Sequence, residues 1–265
     1  MDLSSLSSRV VLVAGATRGI GREAALACGR AGAHVVVVGR STDDSPNPVM
    51  AGTLEQVVSE VEATGAQVLG VAANLAAPEG VAAVAARVEE RFGRCDALII
   101  NFAYDTDFGN PLTTPLPKWN TAIKVNMLGP LLLLQAFVPA MLSRRDGRVI
   151  SVSTGAAARY VGGQLPYSVT KAGLEKITLG FGEAHPEQGV SFNVLRAESV
   201  PTETLLAVGA SIGALRPGAR YNTPAEVGTA IAWLAAQPAS FTGTTLDFEQ
   251  LRNLGALPEP TFALD

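Results

Sequence analysis

The sequence predicts an α/β protein with a Rossmann-type, doubly wound parallel sheet of about seven strands and helices on both faces. Three observations predict this fold class. Short Val/Ile/Leu-rich runs alternate with Ala/Leu/Glu-rich stretches, the apolar runs are continuous, and a glycine cluster follows the first run. Continuous apolar runs are typical of strands buried on both faces. Their alternation with helices indicates a parallel sheet joined by right-handed crossovers.

The predicted elements follow one another along most of the chain. Strands are predicted at 10–15, 34–39, 67–72, 96–101, 147–153, 190–195 and 244–248. Helices are predicted at 20–31, 54–63, 80–92, 119–142, 167–183 and 225–235. Two connections interrupt the alternation: a polar, Pro-rich segment at 41–52, and a segment around 198–223 that is long enough to form a substrate lid.

Length and composition favour one soluble domain spanning 1–265. The chain is 48% hydrophobic and 17% charged, which fits a compact interior. Its net charge is -4 without a Lys/Arg cluster, so nucleic-acid binding is disfavoured. No cationic region precedes an apolar stretch at the N-terminus, and we expect a cytoplasmic protein.

Two further features are interpreted as parts of the core. The apolar stretch 123–142 contains Lys124, Asn126 and two prolines, so we expect a buried helix rather than a membrane span. Cys28 and Cys95 lack the spacing of metal ligands, and we expect buried thiols and no metal site.

The glycine cluster at 14–21, AGATRGIG, lies between the first strand and the first helix. Gly15 permits a tight turn, while Gly19 and Gly21 allow close approach of a pyrophosphate and packing of the helix on the sheet. The start of the helix supplies free N–H groups and a positive dipole end. This pattern predicts a dinucleotide site.

The residues around the predicted second strand indicate which dinucleotide binds. NAD-binding units usually end this strand with an acidic residue, but here Gly39 and Arg40 occupy that place. Arg18 and Arg40 can converge on a ribose 2′-phosphate. We therefore predict NADP(H), with NAD(H) as the less favoured alternative because Asp43 and Asp44 follow closely.

Tyr167 and Lys171 are four residues apart at the start of the helix after the fifth strand. Residues at this spacing share a helix face. An ammonium beside a phenol favours the phenolate, so we expect Lys171 to lower the pKa of Tyr167. A tyrosine with a lowered pKa can exchange a proton with an alcohol or an alkoxide.

These motifs resemble those of the short-chain dehydrogenase/reductase family. The resemblance runs from about residue 9 to residue 248. It is carried by AGATRGIG at 14–21, NFA at 101–103, VNMLG at 125–129, SVST at 151–154 and YSVTK at 167–171, in the order in which the family has them.

The resemblance implies a role for each matching residue. Tyr167 is the proton donor or acceptor, Lys171 its activator and a ribose ligand, and Thr154 stands in place of the family's carbonyl-binding Ser, with Ser153 as the alternative. Asn126 matches an Asn that helps to hold a water next to the Lys. The implied cofactor-binding residues are Gly15, Thr17, Arg18, Gly19, Ile20, Gly21, Arg40, Asn74, Leu75, Asn101, Ala103, Tyr167, Lys171 and Thr202.

A local argument supports a special role for the backbone near Asn126. Pro130 lies four residues later and has no N–H, so it cannot close the helical bond to the Asn126 carbonyl. That carbonyl is then left to accept from a water or from Lys171. The alternative is that Pro130 only kinks a packed helix, and both can be true.

The sequence departs from the family in three places. Tyr104 replaces a glycine at the end of the family's Asn-Asn-Ala-Gly, and Asn74 replaces an acidic residue. Arg196 and Glu198 place two charges where relatives have mostly apolar residues, and an ion pair between them could order the lid. Each departure is expected to reshape the substrate pocket.

The combined prediction is an NADP(H)-dependent enzyme of the ketoreductase or alcohol dehydrogenase type. We expect it to transfer hydride between nicotinamide and a mid-sized, uncharged or weakly polar ketone or secondary alcohol. The substrate wall is predicted at 102–118, 156–166 and 200–221, including Tyr104, Phe108, Tyr160 and Leu205. The alternatives are a catalytically weak dinucleotide-binding regulator and a C=C reductase. Helix 119–142 is apolar over more than one face, and members of the family it resembles pair helices 119–142 and 167–183 between copies, so the resemblance implies a homodimer or homotetramer.

Overall fold

The computed structural model describes residues 1–48, 50–105, 109–159, 161–206, 215–216 and 218–263. At its centre is a seven-stranded parallel sheet of order β3-β2-β1-β4-β5-β6-β8. The sheet strands are β1 Val10–Ala14, β2 His34–Gly39, β3 Val68–Ala72, β4 Ala97–Ile100, β5 Gly147–Thr154, β6 Val190–Ala197 and β8 Thr245–Leu246. The predicted fold class and strand number are therefore confirmed.

Helices cover both faces of the sheet, as predicted. They are α1 Gly19–Arg30, α2 Leu54–Glu62, α3 Pro78–Phe92, α4 Leu116–Ile123, α5 Gly129–Arg144, α6 Leu165–Ala184, α7 Pro224–Ala236 and α8 Phe248–Asn253. Short 3-10 turns occupy Ser4–Leu6 and Gly155–Ala157.

Two buried clusters form the core, one on each face of the sheet. Val11 and Val13 of β1 join one cluster with α1, α2 and α7, while Leu12 and Ala14 join the other with α3 and α5. Because successive residues of a strand point to opposite faces, both faces of β1 are apolar. This arrangement explains the continuous apolar runs of the sequence.

The strand order reverses between β1 and β4. β1 pairs with β2 on one side, Ala14 facing Val38, and with β4 on the other, Ala14 facing Ile100. Ligands of such sheets bind outside the carboxyl ends of the strands at this reversal. The glycine cluster follows β1 directly and so lies at the favoured position.

The structure extends the predicted helix 119–142 by a few residues at both ends and divides it by a π turn. The helical run spans Leu116–Arg144 but contains a π turn at Lys124–Leu128, in which Gly129 N–H donates to the Lys124 carbonyl. The run is long and apolar enough to cross a membrane by length and composition only. Leu133, Leu134 and Phe137 of this run are buried in the core. Packing on the sheet therefore explains its apolar character.

The last predicted strand, 244–248, is wrong at its end. The strand covers only Thr245–Leu246, and α8 begins at Phe248. Asp247 and Gln250 form a reciprocal capping box, which satisfies free N–H groups at the start of α8. A small antiparallel pair, β7 Arg220–Tyr221 with β9 Phe262–Ala263, was not predicted.

The expectation that both cysteines are buried is confirmed. Cys28 and Cys95 are both free and buried, and burial raises the pKa of each thiol to about 12. Both therefore stay protonated at neutral pH. Among the described residues, no group of three or more His, Cys, Asp or Glu side chains is placed to hold a metal ion.

Candidate active site

Two glycines in the turn after β1 are packed so closely against their neighbours that a side chain would not fit at either position. Gly15 has φ of 85°, and a Cβ there would lie 2.6 Å from the Phe102 backbone nitrogen. A Cβ on Gly21 would overlap the Gly15 carbonyl oxygen. Asn101 Nδ2 donates to the same carbonyl at 2.8 Å. Asn101, predicted as a cofactor residue, thus fastens the end of β4 to the turn.

The first helix begins at the open side of this turn. Arg18 is its N-cap residue and makes no side-chain capping bond, and Gly19 is the first helical residue. A Cβ on Gly19 would lie 3.1 Å from Thr202 Cγ2. The Gly19 N–H donates to Glu203 Oε2 at 3.1 Å. The structure therefore brings Thr202, also predicted at the cofactor, to the start of α1, together with an acidic residue that the sequence did not indicate.

The two predicted arginines converge at the end of β2. Arg18 donates from NH2 to Ser41 Oγ at 2.9 Å. Burial lowers the pKa of Arg18, the charge of Arg40 lowers it further, and Glu203 opposes both. Arg40 is exposed, and Ser41 is buried. Ser41 was missed, although its place directly after Arg40 was the available signal.

The end of β2 leaves no room for an acidic side chain. A Cβ on Gly39 would overlap Cγ2 of Thr17, which is buried. The usual acid of NAD-binding units is therefore excluded here by packing as well as by sequence.

The remaining predicted cofactor residues lie at the same edge of the sheet. Asn74 follows β3 and is exposed, with Oδ1 accepting from Ala76 N–H at 3.2 Å. Leu75 is buried, Ala103 after β4 is exposed, and Ile20 in the first turn of α1 is half-buried.

Lys171 of α6 is almost completely enclosed, with 2% of its surface exposed. Its Nζ donates to the Val152 carbonyl of β5 at 2.8 Å. The same nitrogen lies 5.8 Å from the ring centroid of Tyr167, one helical turn earlier. The structure thus brings the predicted pair together at the carboxyl end of β5.

The expected direction of the Tyr167 pKa was wrong for this structure. Burial raises the pKa of Tyr167 above its ordinary value, and the charge of Asp105 raises it further. Burial also lowers the pKa of Lys171 to about 8, opposed by Asp105 and Glu175. Spacing along a helix predicts proximity, but it does not reveal how strongly the pair is desolvated.

Asp105, in the loop after β4, is a second acidic residue that sequence reasoning missed. It is exposed as a whole residue, yet the protein atoms around its carboxyl group raise its pKa to about 6, opposed by Lys171. Gln164 Nε2 donates to Asp105 Oδ1 at 3.4 Å. The loop after β4 thus contributes a carboxyl group whose charge raises the pKa of both Tyr167 and Lys171.

Thr154 and Ser153 have different environments. Ser153 is buried and donates to Glu175 Oε1 of α6 at 2.7 Å. Thr154 ends β5, is half-buried, and its Oγ1 accepts from Ala156 N–H at 3.3 Å. The Ser153 hydroxyl therefore acts as a donor to a buried carboxylate, whereas the Thr154 hydroxyl, at the end of the strand, acts as an acceptor.

Arg196 forms an ion pair with Glu175 and not with Glu198. Its Nε donates to Glu175 Oε1 at 2.8 Å and its NH2 donates to Oε2 at 2.6 Å. The expected lid contact between Arg196 and Glu198 is therefore wrong, because Arg196 lies opposite Ser153 in the sheet and points to α6. Glu175 lies four residues after Lys171, a spacing that could have identified it.

Asn126, in the π turn, is fully buried and bonds to three groups. Its Oδ1 accepts from Tyr104 N–H at 2.7 Å, and its Nδ2 donates to the Tyr104 carbonyl and to Thr170 Oγ1, both at 3.0 Å. The side chain therefore fixes the loop after β4 to α6. The water-holding role implied for Asn126 stays a prediction for its backbone carbonyl. π turns are frequent at functional sites.

Parts of the predicted substrate wall lie outside the described residues. These are Phe108, Tyr160 and, in the predicted lid, 207–214 and 217. Leu205 is half-buried, and residues 203–206 are helical.

Comparison with known proteins matches this geometry to one family. The family model of the short chain dehydrogenases matches residues 9–211. The chain belongs to the short chain dehydrogenase family. The family resemblance inferred from the motifs is therefore confirmed, and with it the prediction of an oxidoreductase enzyme.

Similar proteins cover nearly the whole chain. A 3-oxoacyl-[acyl-carrier-protein] reductase of Synechocystis sp. is 31% identical over 251 residues, covering 93% of this chain and 98% of the relative. The crystal structure of a metagenomic short-chain oxidoreductase in complex with NADP is 28% identical, with a TM-score of 0.75, covering 91% of this chain and 96% of that one. Levodione reductase shares the fold, with a TM-score of 0.82 at 22% identity, covering 94% and 99%.

Proposed function

We propose that this short chain dehydrogenase is an NADP(H)-dependent oxidoreductase that interconverts a ketone and a secondary alcohol. The observation that carries the proposal is the enclosed Lys171 beside Tyr167, at the carboxyl end of β5 and close to the strand-order reversal. A lysine that is 2% exposed and whose Nζ donates to a neutral backbone carbonyl is costly to bury without a functional reason.

The residues at the glycine turn fit a dinucleotide phosphate. The closeness of Gly15 and Gly21 to their neighbours leaves no room for side chains at these two positions, so backbone N–H groups there can approach a diphosphate. Arg18, Arg40 and Ser41 would hold the 2′-phosphate, since guanidinium groups bind phosphate in a bidentate manner. The relative crystallised with NADP supports this assignment. The other predicted cofactor residues line the same edge.

The protein's part in the reaction is to hold the carbonyl and to move a proton. When bound, NADPH supplies the hydride to the carbonyl carbon. Thr154 Oγ1 would hold the carbonyl oxygen, and the Tyr167 hydroxyl gives its proton to that oxygen, which yields the alcohol. The positive charge of Lys171 stabilises the resulting phenolate. In the oxidation direction each proton movement is reversed.

The substrate class is proposed as a mid-sized ketone of low charge, bound under a lid around 198–223 of the single domain 1–265. The 3-oxoacyl reductase relatives make a 3-oxoacyl thioester a suitable first substrate to test. Asp105 disfavours substrates with an anionic group near the carbonyl, because its carboxyl group lies close to Tyr167.

We also propose a cytoplasmic homodimer or homotetramer. Leu128 at the start of α5 and Val169 on α6 are 43% and 48% exposed, which supports pairing of these helices between copies. Light scattering at micromolar concentration tests this proposal, and a monomer would contradict it.

The experiment that tests the function follows NADPH absorbance with a panel of ketones, 3-oxoacyl thioesters and enones. We expect turnover with carbonyl substrates and a loss of about 100-fold or more in kcat/KM for Tyr167→Phe, which removes only the hydroxyl group. NADPH binding without turnover of any substrate would favour the regulator alternative. Turnover confined to enones would favour the C=C reductase.

A further inference from the structure

The start of α1 already holds an anion supplied by the protein itself. Glu203 Oε2 accepts from the Gly19 N–H at 3.1 Å, although the two residues are far apart in the chain. Thr202 packs against Gly19 in the same contact. The carboxylate therefore lies at the helix start that the proposed function assigns to the cofactor's diphosphate.

The charges around Glu203 match those that a diphosphate would meet. Glu203 opposes the burial that lowers the pKa of Arg18. The Glu60 hydrogen bond raises the pKa of Arg22, and Glu203 adds to that effect. The Glu203 carboxylate thus bonds to a helix start, and its charge acts on two guanidinium groups, all of which attract anions.

A carboxylate and a diphosphate compete for this position. One N–H makes one strong hydrogen bond, and two anions in the same place repel each other. We propose that Glu203 is an internal competitor of the cofactor's diphosphate, which must leave the Gly19 N–H before the dinucleotide binds fully. The proposal rests on the proposed function. Glu203 thereby sets the affinity of the cofactor site and stabilises the cofactor-free form.

The decisive variant is Glu203→Gln, which keeps the shape of the side chain and removes its charge. Glu198→Gln is the matched control, an exposed acid on the same connection. Binding of NADPH and of adenosine 2′-monophosphate, which lacks the diphosphate, is measured by calorimetry. We expect NADPH to bind about fivefold more tightly to Glu203→Gln, with unchanged affinity for adenosine 2′-monophosphate. Glu198→Gln should bind both ligands with the affinity of the wild type.

Thermal unfolding without cofactor supplies an independent readout. Glu203→Gln should lower the Tm of the cofactor-free protein, because a charged contact at a helix start is lost, while NADPH should raise its Tm more than that of the wild type. A merely structural role would lower the Tm without tightening NADPH binding, and that result would overturn the proposal. An equal gain in Glu198→Gln would also overturn it.

Failure of the proposed function would look different. If folded wild type and both variants bind adenosine 2′-monophosphate and NADPH with no measurable affinity, the cofactor assignment falls and this proposal falls with it. If NADPH binds the wild type and Glu203→Gln equally, only the competition by Glu203 is wrong.

Discussion

Charged side chains lie at both ends of the central sheet, but the groups that they bond to differ between the two ends. At the amino end, Asp96 is 2% exposed, accepts from Val10 N–H at 2.9 Å and from Arg94 Nε at 2.7 Å. Arg9 pairs with Asp146, which also lies 3.5 Å from Arg148. The arginine and aspartate side chains at this end therefore form ion pairs with one another.

At the carboxyl end, two cations are held by neutral groups. Lys171 donates to a backbone carbonyl, and Arg18 donates to a serine hydroxyl. Such bonds fix the positions of the charges without neutralising them. The difference indicates that the amino end serves stability, and it supports the proposal that Lys171 and Arg18 remain available to a substrate and a cofactor.

The largest expected effect is on catalysis, from Lys171→Met. Removing the ammonium withdraws the charge that stabilises the Tyr167 phenolate, so kcat/KM should fall by about 100-fold to 10,000-fold. Lys176→Met, at an exposed lysine of the same helix that pairs with Glu183, is the matched control and should keep full activity. Similar losses of kcat/KM in both variants would contradict a specific role for the Lys171 charge.

At the opposite end the expected effect is on stability, from Asp96→Asn. Asp96 is buried, but its partner Arg94 is 42% exposed and can be solvated, so the weakened bonds to Val10 N–H and Arg94 should lower the free energy of unfolding by about 1–3 kcal/mol. Denaturant unfolding measures this change, with Glu62→Gln, an exposed acid at the end of α2, as control. Activity per folded molecule should stay unchanged, and a selective loss of kcat would show that the two ends are not separate.

A smaller effect is expected at the arginine pair. Arg40→Ala removes one guanidinium group from the proposed 2′-phosphate site, so the KM for NADPH should rise by about tenfold or more while that for NADH stays nearly constant. Arg30→Ala, at the exposed last turn of α1, is the control. Equal changes for both cofactors would contradict the assignment.

The smallest expected effect is a shift of the pH profile. Burial lowers the pKa of Lys171 from 10.5 to about 8. Reduction needs the charged ammonium, so kcat/KM should be level below about pH 8 and fall above it. Asp105 and Glu175 both raise this pKa, so Glu175→Gln should move the fall to lower pH by about half a unit. Glu183→Gln, on the exposed side of α6, should leave it in place.

The same lowered pKa sets the sign of a stability effect. Between about pH 8 and 10.5 the unfolded chain binds the Lys171 proton and the folded chain does not, so this group makes folding more favourable as pH rises through that interval. A fall of kcat/KM that begins well below pH 7 would show that another group controls the reaction.

The sheet was predictable because local patterns determine it. Continuous runs such as VVLV at 10–13 indicate strands that are buried on both faces. Where the predicted end of a strand or helix is wrong, it differs from the observed end by a few residues. The π turn was not predictable as such. Pro130 indicates an interruption of the helix, but the Asn126 side chain in the widened turn bonds to Tyr104 and Thr170, which are distant in the chain, and no local pattern indicates these contacts.

Contacts in the site were predictable where both residues belong to one sequence motif. They were not predictable where the two residues are far apart in the chain. Tyr167 and Lys171 share a helix face, so their proximity follows from spacing. Glu203 reaches Gly19 from the other end of the chain, and no local pattern indicates this contact. The pKa of Tyr167 likewise depends on burial by other segments.

The contact between Thr17 and Gly39 has a consequence for how the cofactor preference of this chain can evolve. Thr17 Cγ2 fills the space that any side chain at position 39 would need. An acidic replacement of Gly39 alone should therefore disturb the turn before it can bind ribose hydroxyls. A change of preference through position 39 is therefore expected to need a smaller residue at position 17 as well, so that it takes two substitutions rather than one.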